Sequence, residues 1–232
     1  TAHRALLMKL ITPRRLRENE AFMWRLADRQ IDEIAGKRSC EFVRELAGPF
    51  TLLVIADLLG VPEDDHRTFR KALGRDRALG STGEETLGHN PLEFLYQRFT
   101  AYVEDRRRAP REDVLTGLAA AKFPDGSTPE VIDAVRVAAN LFAAGQETTV
   151  RLLATALQIL AERPELQRLL RDDRDRIPNF IDETLRFESP VKGDFRLART
   201  ATRVGGVDVP AGAVVMVLNG AANRDPRHFD RP

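Results

Sequence analysis

Between Pro129 and Pro164 no other proline interrupts the chain. Apolar residues recur through this stretch at Val135, Ala138, Leu141, Phe142, Gly145, Leu152, Ala156, Ile159 and Leu160. Steps of three, four and seven place them on one buried face of a helix. At 1.5 Å per residue the helix is on the order of 50 Å long. A chain of 232 residues holds such a rod by letting it cross the whole domain. The segment "DGSTPE" at 125–130 offers a start. Ser127 or Thr128 can cap, and the fixed φ of Pro129 suits a first turn.

One part of this helix conflicts with helical propensity. "AAGQETTV" at 143–150 puts a glycine and two threonines mid-helix, where Gly alone costs about 1 kcal/mol relative to Ala. Gly145 and Thr148 share the buried stripe, and Glu147 lies one step around it. Two readings stay open on spacing alone. In the first, Gly145 admits a crossing helix, Thr148 bonds back to the Ala144 carbonyl, and Glu147 pairs with Arg151 at i,i+4. In the second, Glu147 and Thr148 form an acid–alcohol pair aimed at a ligand that approaches the glycine backbone.

The remaining pattern predicts a mainly α chain with a small β region. Helical periods run through 15–35, 42–59, 62–73, 91–107 and 114–121, with Pro13, Pro62 and Pro91 suited to first turns. "DRRRAPRED" at 105–113 reads as a solvated, charged break. From about 193 to 218, "FRLART" and "TRVGGVDVPAGAVVMVLN" read as short strands with turns at 205–206 and 210–212. Residues 219–232 read as a loop. The whole is expected to be one partial domain, helical over 1–190.

Composition narrows the function classes. Hydrophobic residues make up 43% and charged residues 31%, with a formal net charge of +1. That balance, without a basic recognition face, predicts no nucleic-acid partner. No apolar run approaches the roughly 20 residues of a membrane span. Cys40 is the single cysteine, so no internal disulfide forms, which points to the cytoplasm. His3, His66, His89 and His228 lack metal-ligand spacing. The start has no cleavable signal pattern and no initiator Met.

A second constellation lies in "PNFIDETLRFESPV" at 178–191. Glu183 and Arg186, at i,i+3, share a helix face. Taken alone the pair is an ordinary surface ion pair. Its order in the chain changes that: "AGQET", then "ETLR", "SPVKGDFR", "GGVDVPAGAVV" and "ANRDPRHFDRP" follow one another. With "ITPRRL" and "AGPFTLLVIADLLGVPEDD" upstream, the chain resembles the cytochrome P450 family, the heme-thiolate monooxygenases, of the soluble bacterial type, over essentially its whole length.

The resemblance implies a P450-like fold, incomplete at both ends, and a set of roles. The long helix looks like the helix over the distal face of the heme. Ala144 and Gly145 would line the O2 groove, and Glu147 and Thr148 match the pair that guides protons to dioxygen. Glu183 and Arg186 match a structural pair that pins the core. Arg196 and Arg4 match arginines that grip the heme propionates. Leu141, Phe142, Ala144, Val191 and Phe195 fall where substrate contacts are expected, with Lys192 and Asp194 in the same segment. The implied cofactor is heme b, with O2 as co-substrate. The implied substrate is small and apolar, and electrons would come from NAD(P)H through a reductase and a ferredoxin or flavodoxin-type donor. Lys9, Arg14, Arg15 and Arg17 are candidate docking residues.

One departure stands beside these matches. The family's iron ligand is a cysteine thiolate in a Gly-rich loop that would fall beyond Pro232. Cys40, in "RSCEFVREL", matches no such context and reads as a partly buried free thiol. The chain therefore reads as a fragment, inactive alone, with no metal ligand of its own. The alternative function is a heme-free helical binding or scaffold protein that keeps this shape.

Overall fold

Thr12 stands in an extended conformation and its hydroxyl accepts the Arg15 N–H at 3.2 Å, so helix α1 (Pro13–Ala35) starts at Pro13. The computed structural model describes Arg4, Leu6, Met8 and residues 11–73 and 91–232. His3, Lys9 and His89 lie outside the described residues. A π turn (Val43–Ala47) leads into α2 (Gly48–Leu58), followed by α3 (Glu63–Leu73), α4 (Pro91–Arg108) and α5 (Val114–Ala119). The long helix is α6 (Val131–Glu162). Then come α7 (Pro164–Asp172), a 3-10 turn (Arg174–Arg176) and α8 (Ile177–Phe187). Strands β1 (Asp194–Leu197), β2 (Thr202–Val204), β3 (Val207–Val209) and β4 (Val214–Val217) precede a short helix, α9 (Asn219–Ala222).

The chain divides into two compact units, Thr1–Val150 and Arg151–Pro232. The first unit is built around α2, whose residues Leu52, Leu53, Ile55 and Ala56 are all buried. α2 packs on α1 and α3, α3 on α4, and α4 on α5. An aromatic cluster completes the core: Phe69 meets Phe94, Phe99 and Phe142 with ring centroids 5.1, 6.4 and 5.7 Å apart. Tyr102 belongs to it by its ring, and its hydroxyl donates to Asp65 Oδ2 at 2.6 Å. Burial, then the bond to Asp65, pushes the phenol's pKa well above its ordinary value.

The C-terminus of α2 leaves carbonyl groups without helical partners, as every helix does. Arg15 of α1 meets that need. Its guanidinium donates to the carbonyls of Asp57 and Leu58 and pairs with the Asp57 carboxylate at 3.1 Å. A cation suits that end of the helix dipole. Beside it, the buried Asn19 amide donates to Val54 O at 3.1 Å and to Asp57 Oδ2 at 2.9 Å. Arg15 is therefore a capping residue, which removes it from the docking residues expected from the sequence. Arg14 and Arg17 are exposed, Arg14 bonding Glu18 at 2.9 Å.

Two further expectations change. The start of α6 uses neither Ser127 nor Thr128 as a cap. Ser127 instead donates its amide and hydroxyl to Asp125 Oδ1, at 2.9 and 2.6 Å, and Thr128 Oγ1 accepts from Lys122. Pro129 precedes the helix, and the Glu130 carbonyl takes its first amides, from Asp133 and Ala134. An aspartate two residues before a serine competes successfully for it. "DRRRAPRED" is likewise not all solvated. Arg106 is 4% exposed, its Nε on Asp113 Oδ2 at 2.6 Å. Arg107 donates to the carbonyls of Ala119 and Pro129 at 3.2 and 2.7 Å.

In the second unit the strands pair antiparallel, β1 with β4 and β2 with β3. Gly205 and Gly206, at φ +56° and +84°, form the two-residue turn between β2 and β3. Both residues need positive φ there, which glycine takes without strain. The segment 219–232, expected as loop, instead opens with α9 and then folds back onto α8. Among the described residues no helix is long and apolar enough to cross a membrane.

Candidate functional site

The first unit carries its candidate residues on α6. Ala144 is exposed, and Gly145, Glu147 and Thr148 are half-buried. A Cβ placed on Gly145 would lie 3.0 Å from Ile55 Cδ1 and 3.3 Å from Ile55 Cγ1. Glycine thus gives the Ile55 side chain room where α2 approaches α6. Thr148 Oγ1 donates to Ala144 O at 2.8 Å, the back-bond that threonine makes inside helices. The hydroxyl keeps its two acceptor lone pairs. Both features that suited a crossing helix are therefore present, beside the acid of Glu147 in the same turn.

The candidate substrate contacts on α6 fall differently. Leu141 is half-buried. Phe142 is fully buried, its ring 5.7 Å from Phe69 and 6.4 Å from Phe99. The structure gives Phe142 a place in the aromatic core. The helical stripe found it correctly as buried but could not tell a core position from a pocket wall. Gln146, passed over in the sequence, has a buried Oε1 with no hydrogen-bond partner in the structure.

The second unit carries the E-x-x-R pair. Arg186 Nε and Nη2 donate to Glu183 Oε2 and Oε1 at 2.8 and 2.7 Å, a bidentate fork. The arginine is 14% exposed and the glutamate 62%. The Arg186 fork holds the Glu183 carboxyl below its ordinary pKa. Arg186 Nη1 donates further to Asn223 O at 2.7 Å and Nη2 to Arg231 O at 3.2 Å. Its guanidinium stacks over Phe229, 4.7 Å from the ring centre. A structural role fits: one arginine ties α8 to the folded-back segment 223–231.

A second arginine does the same and was not singled out from the sequence. Arg224 Nε donates to Phe187 O at 2.9 Å, and its Nη2 pairs with Glu188 at 2.6 Å. Its guanidinium lies 4.1 Å above the Phe187 ring. The ring two residues after "ETL" was the available signal, since planar guanidinium groups stack on aromatic faces.

Strand β1 presents the other candidates. Phe195 and Leu197 point to one face and register against Met216 and Val214. All four are exposed, Phe195 at 67%. Arg196 lies on the opposite face, and its guanidinium is exposed. Val191 is exposed in the segment leading to the strand. In the first unit, Arg4 is exposed. Cys40, expected to be partly buried, is exposed in the short link after α1. Among the described residues no group of three or more His, Cys, Asp or Glu could hold a metal ion.

The family profile described as "Cytochrome P450" matches residues 89–232. Among curated proteins, the chain is 32% identical to cytochrome P450 130 of Mycobacterium tuberculosis over 99% of this chain and 57% of that protein. It is 33% identical to cytochrome P450 107B1 of Saccharopolyspora erythraea over all of this chain and 56% of that one. The substrate-free structure of Mycobacterium marinum cytochrome P450 CYP150A6 aligns with a TM-score of 0.89 at 60% identity, over 99% of this chain and 53% of that chain. CYP109E1 from Bacillus megaterium, in complex with corticosterone, aligns at 0.86 with 28% identity, over 98% of this chain and 62% of that chain. The chain thus spans a little over half the length of these relatives. Matched in fold and in sequence along nearly its full length, and by the profile over residues 89–232, the chain belongs to the cytochrome P450 family.

Proposed function

We propose that this chain supplies the O2-side and propionate-side residues of a heme monooxygenase, which inserts one atom of O2 into a small apolar substrate. Heme asks three things of a protein: apolar walls, cations for its two propionates and an axial ligand. The described residues fit the first two, with the exposed apolar face of Phe195, Leu197, Val214 and Met216 and the exposed guanidinium groups of Arg4 and Arg196. The third is not offered by Cys40, the one cysteine among the 232 residues. Heme, when bound, supplies the redox chemistry with O2.

The observation that carries the reading is one turn of α6: exposed Ala144, half-buried Gly145, Glu147 and Thr148 in series. Exposed Ala144 leaves room beside the helix backbone, while Ile55 packs into the space at Gly145. Thr148 Oγ1 can accept a hydrogen bond without breaking its own, and can release its proton by leaving Ala144 O. Glu147 can return a proton to that hydroxyl from water. Arg4 and Arg196 would hold the propionates, and Leu141, Val191 and Phe195 would meet the substrate. Electrons would come from NAD(P)H through a reductase and a ferredoxin or flavodoxin-type protein, with Arg14 and Arg17 as docking cations. The setting would be the cytoplasm, and the 232 residues would be one part of a single domain.

Thr148→Ala tests the proton role. In the heme-loaded protein it should slow product formation by about 10²-fold or more, within the 10²–10⁴ range typical of a proton-transfer group, and divert reducing equivalents to peroxide. Substrate affinity should stay near parental. Unchanged coupling of NAD(P)H to product removes Thr148 from the mechanism.

A second reading, a heme-free scaffold, draws on one contact. Ile55 gives Gly145 a packing reason that needs no ligand. Hemin titration of the protein separates the two: saturable uptake at one equivalent supports the enzyme, and none supports the scaffold.

A further inference from the structure

Asp194 and Arg196 alternate with Phe195 on β1, so they share one face of the strand. Arg196 Nη2 lies 3.6 Å from Asp194 Oδ2, and Arg196 Nη1 donates to Phe195 O at 3.0 Å. The same Asp194 oxygen accepts from Asn219 Nδ2 at 3.2 Å. Asn219 opens α9, which sits close on the segment before β1. The Gly220 amide donates to Lys192 O at 2.9 Å, and a Cβ on Gly220 would lie 3.3 Å from Lys192 Cδ. Asp194 is thus anchored through Asn219 to a helix that is itself pinned to the backbone. Arg196 is not anchored in this way. Its contact with Asp194 is an ion pair longer than a hydrogen bond and open to water.

We propose that Asp194 is a positioning residue, an internal counter-ion that holds the Arg196 guanidinium until a heme propionate takes the cation. This rests on the reading of Arg196 as a propionate ligand. An anchored carboxylate with a loosely held cation is suited to exchange. It orients the guanidinium beforehand, and it must then share the cation with the incoming group. A propionate bound at Arg196 also meets the like charge of Asp194. Asp194 therefore weakens retention of the anion that Arg196 grips, and Asn219 fixes where that opposition acts.

The test follows transfer of hemin from the loaded protein to a scavenging apoprotein by absorbance. Asp194→Asn keeps the size and the hydrogen-bonding partner and removes the charge. It should slow hemin loss about two- to fivefold at low salt, the scale of an exposed ion pair. The difference should vanish near 1 M salt, where charges are screened beyond about 3 Å. Asp194→Glu, which keeps the charge, should lose hemin at the parental rate. Arg196→Ala should lose hemin faster, and Asp194→Asn should have no effect on top of it. A parental rate in Asp194→Asn, with faster loss in Arg196→Ala, overturns the counter-ion role alone. A parental rate in Arg196→Ala overturns the propionate reading of Arg196, as does a parental protein that takes up no hemin, and this inference with it.

Discussion

Gly145 shows how one residue can answer to two constraints. In an ordinary helix interior, Gly→Ala gains about 1 kcal/mol. Here the added methyl meets Ile55 Cδ1 at 3.0 Å. Gly145→Ala is expected to return little of that gain. Ile55→Val, which withdraws Cδ1, should cost about 0.5–1.5 kcal/mol alone and less on top of Gly145→Ala, a coupling of roughly 0.5 kcal/mol or more. Denaturant melts of the parent, both single variants and the double variant decide it; additive losses mean that Ile55 is not what the glycine serves. The sequence marked 145 and 148 as anomalous because propensity is local. It could not name Ile55, ninety residues upstream, because such contacts are set by how helices cross. Arg15 makes the same point. It read as one cation among several near Pro13, yet its partners are the end of another helix. Arg15→Leu should cost about 1.5–3 kcal/mol, the range for hydrogen bonds to a charged group. A loss equal to that from exposed Arg17→Leu would refute the cap.

Element boundaries were legible wherever proline or a glycine turn fixed them. Pro13, Pro91 and Pro164 each open a helix, and Gly205–Gly206 closes a hairpin. Boundaries set by side-chain competition were not. Ser127 has two possible employers, the amides of the coming helix and Asp125, and local sequence does not rank them. The charged run at 105–113 failed for a related reason. Charge reads as exposure unless a partner is supplied, and Asp113 supplies one to Arg106. Asp113 also caps α5 by accepting the Thr116 amide at 2.7 Å. Burial tends to raise the Asp113 pKa, but the Thr116 amide and the Arg106 guanidinium outweigh it and hold it below the ordinary value.

Over the whole chain, the near-neutral charge conceals a consistent acid response. Asp113, Glu183 and Glu188 all have folded-state pKa values lowered below their ordinary ones. A lowered carboxyl contributes stability above its unfolded pKa, and that contribution is lost as pH falls through the folded value. The thermal midpoint should therefore be flat with respect to these groups above about pH 5 and fall steadily below about pH 4. Asp113→Asn should flatten part of that fall. A midpoint unchanged between pH 5 and 3 would contradict the assignment. Family membership was legible at this scale too, because five short motifs in one order constrain more than any one of them. What the order of motifs did not reveal is which positions serve the core. Phe142 and Arg15 carry that lesson, since each fits a functional pattern while its partners are structural.

Arg186 has a further consequence, in the time order of synthesis. Its fork meets Glu183 within one helical turn, but two of its remaining partners are the carbonyls of Asn223 and Arg231 and a third is the ring of Phe229. Chains emerge N-terminal end first, and folding follows emergence. During translation, α8 can form with its glutamate satisfied and its arginine only half satisfied. That arginine waits for some forty-five residues more, through all four strands, before its last acceptor leaves the ribosome. The pair in the middle of the second unit is thus a latch whose catch is made well after the latch itself.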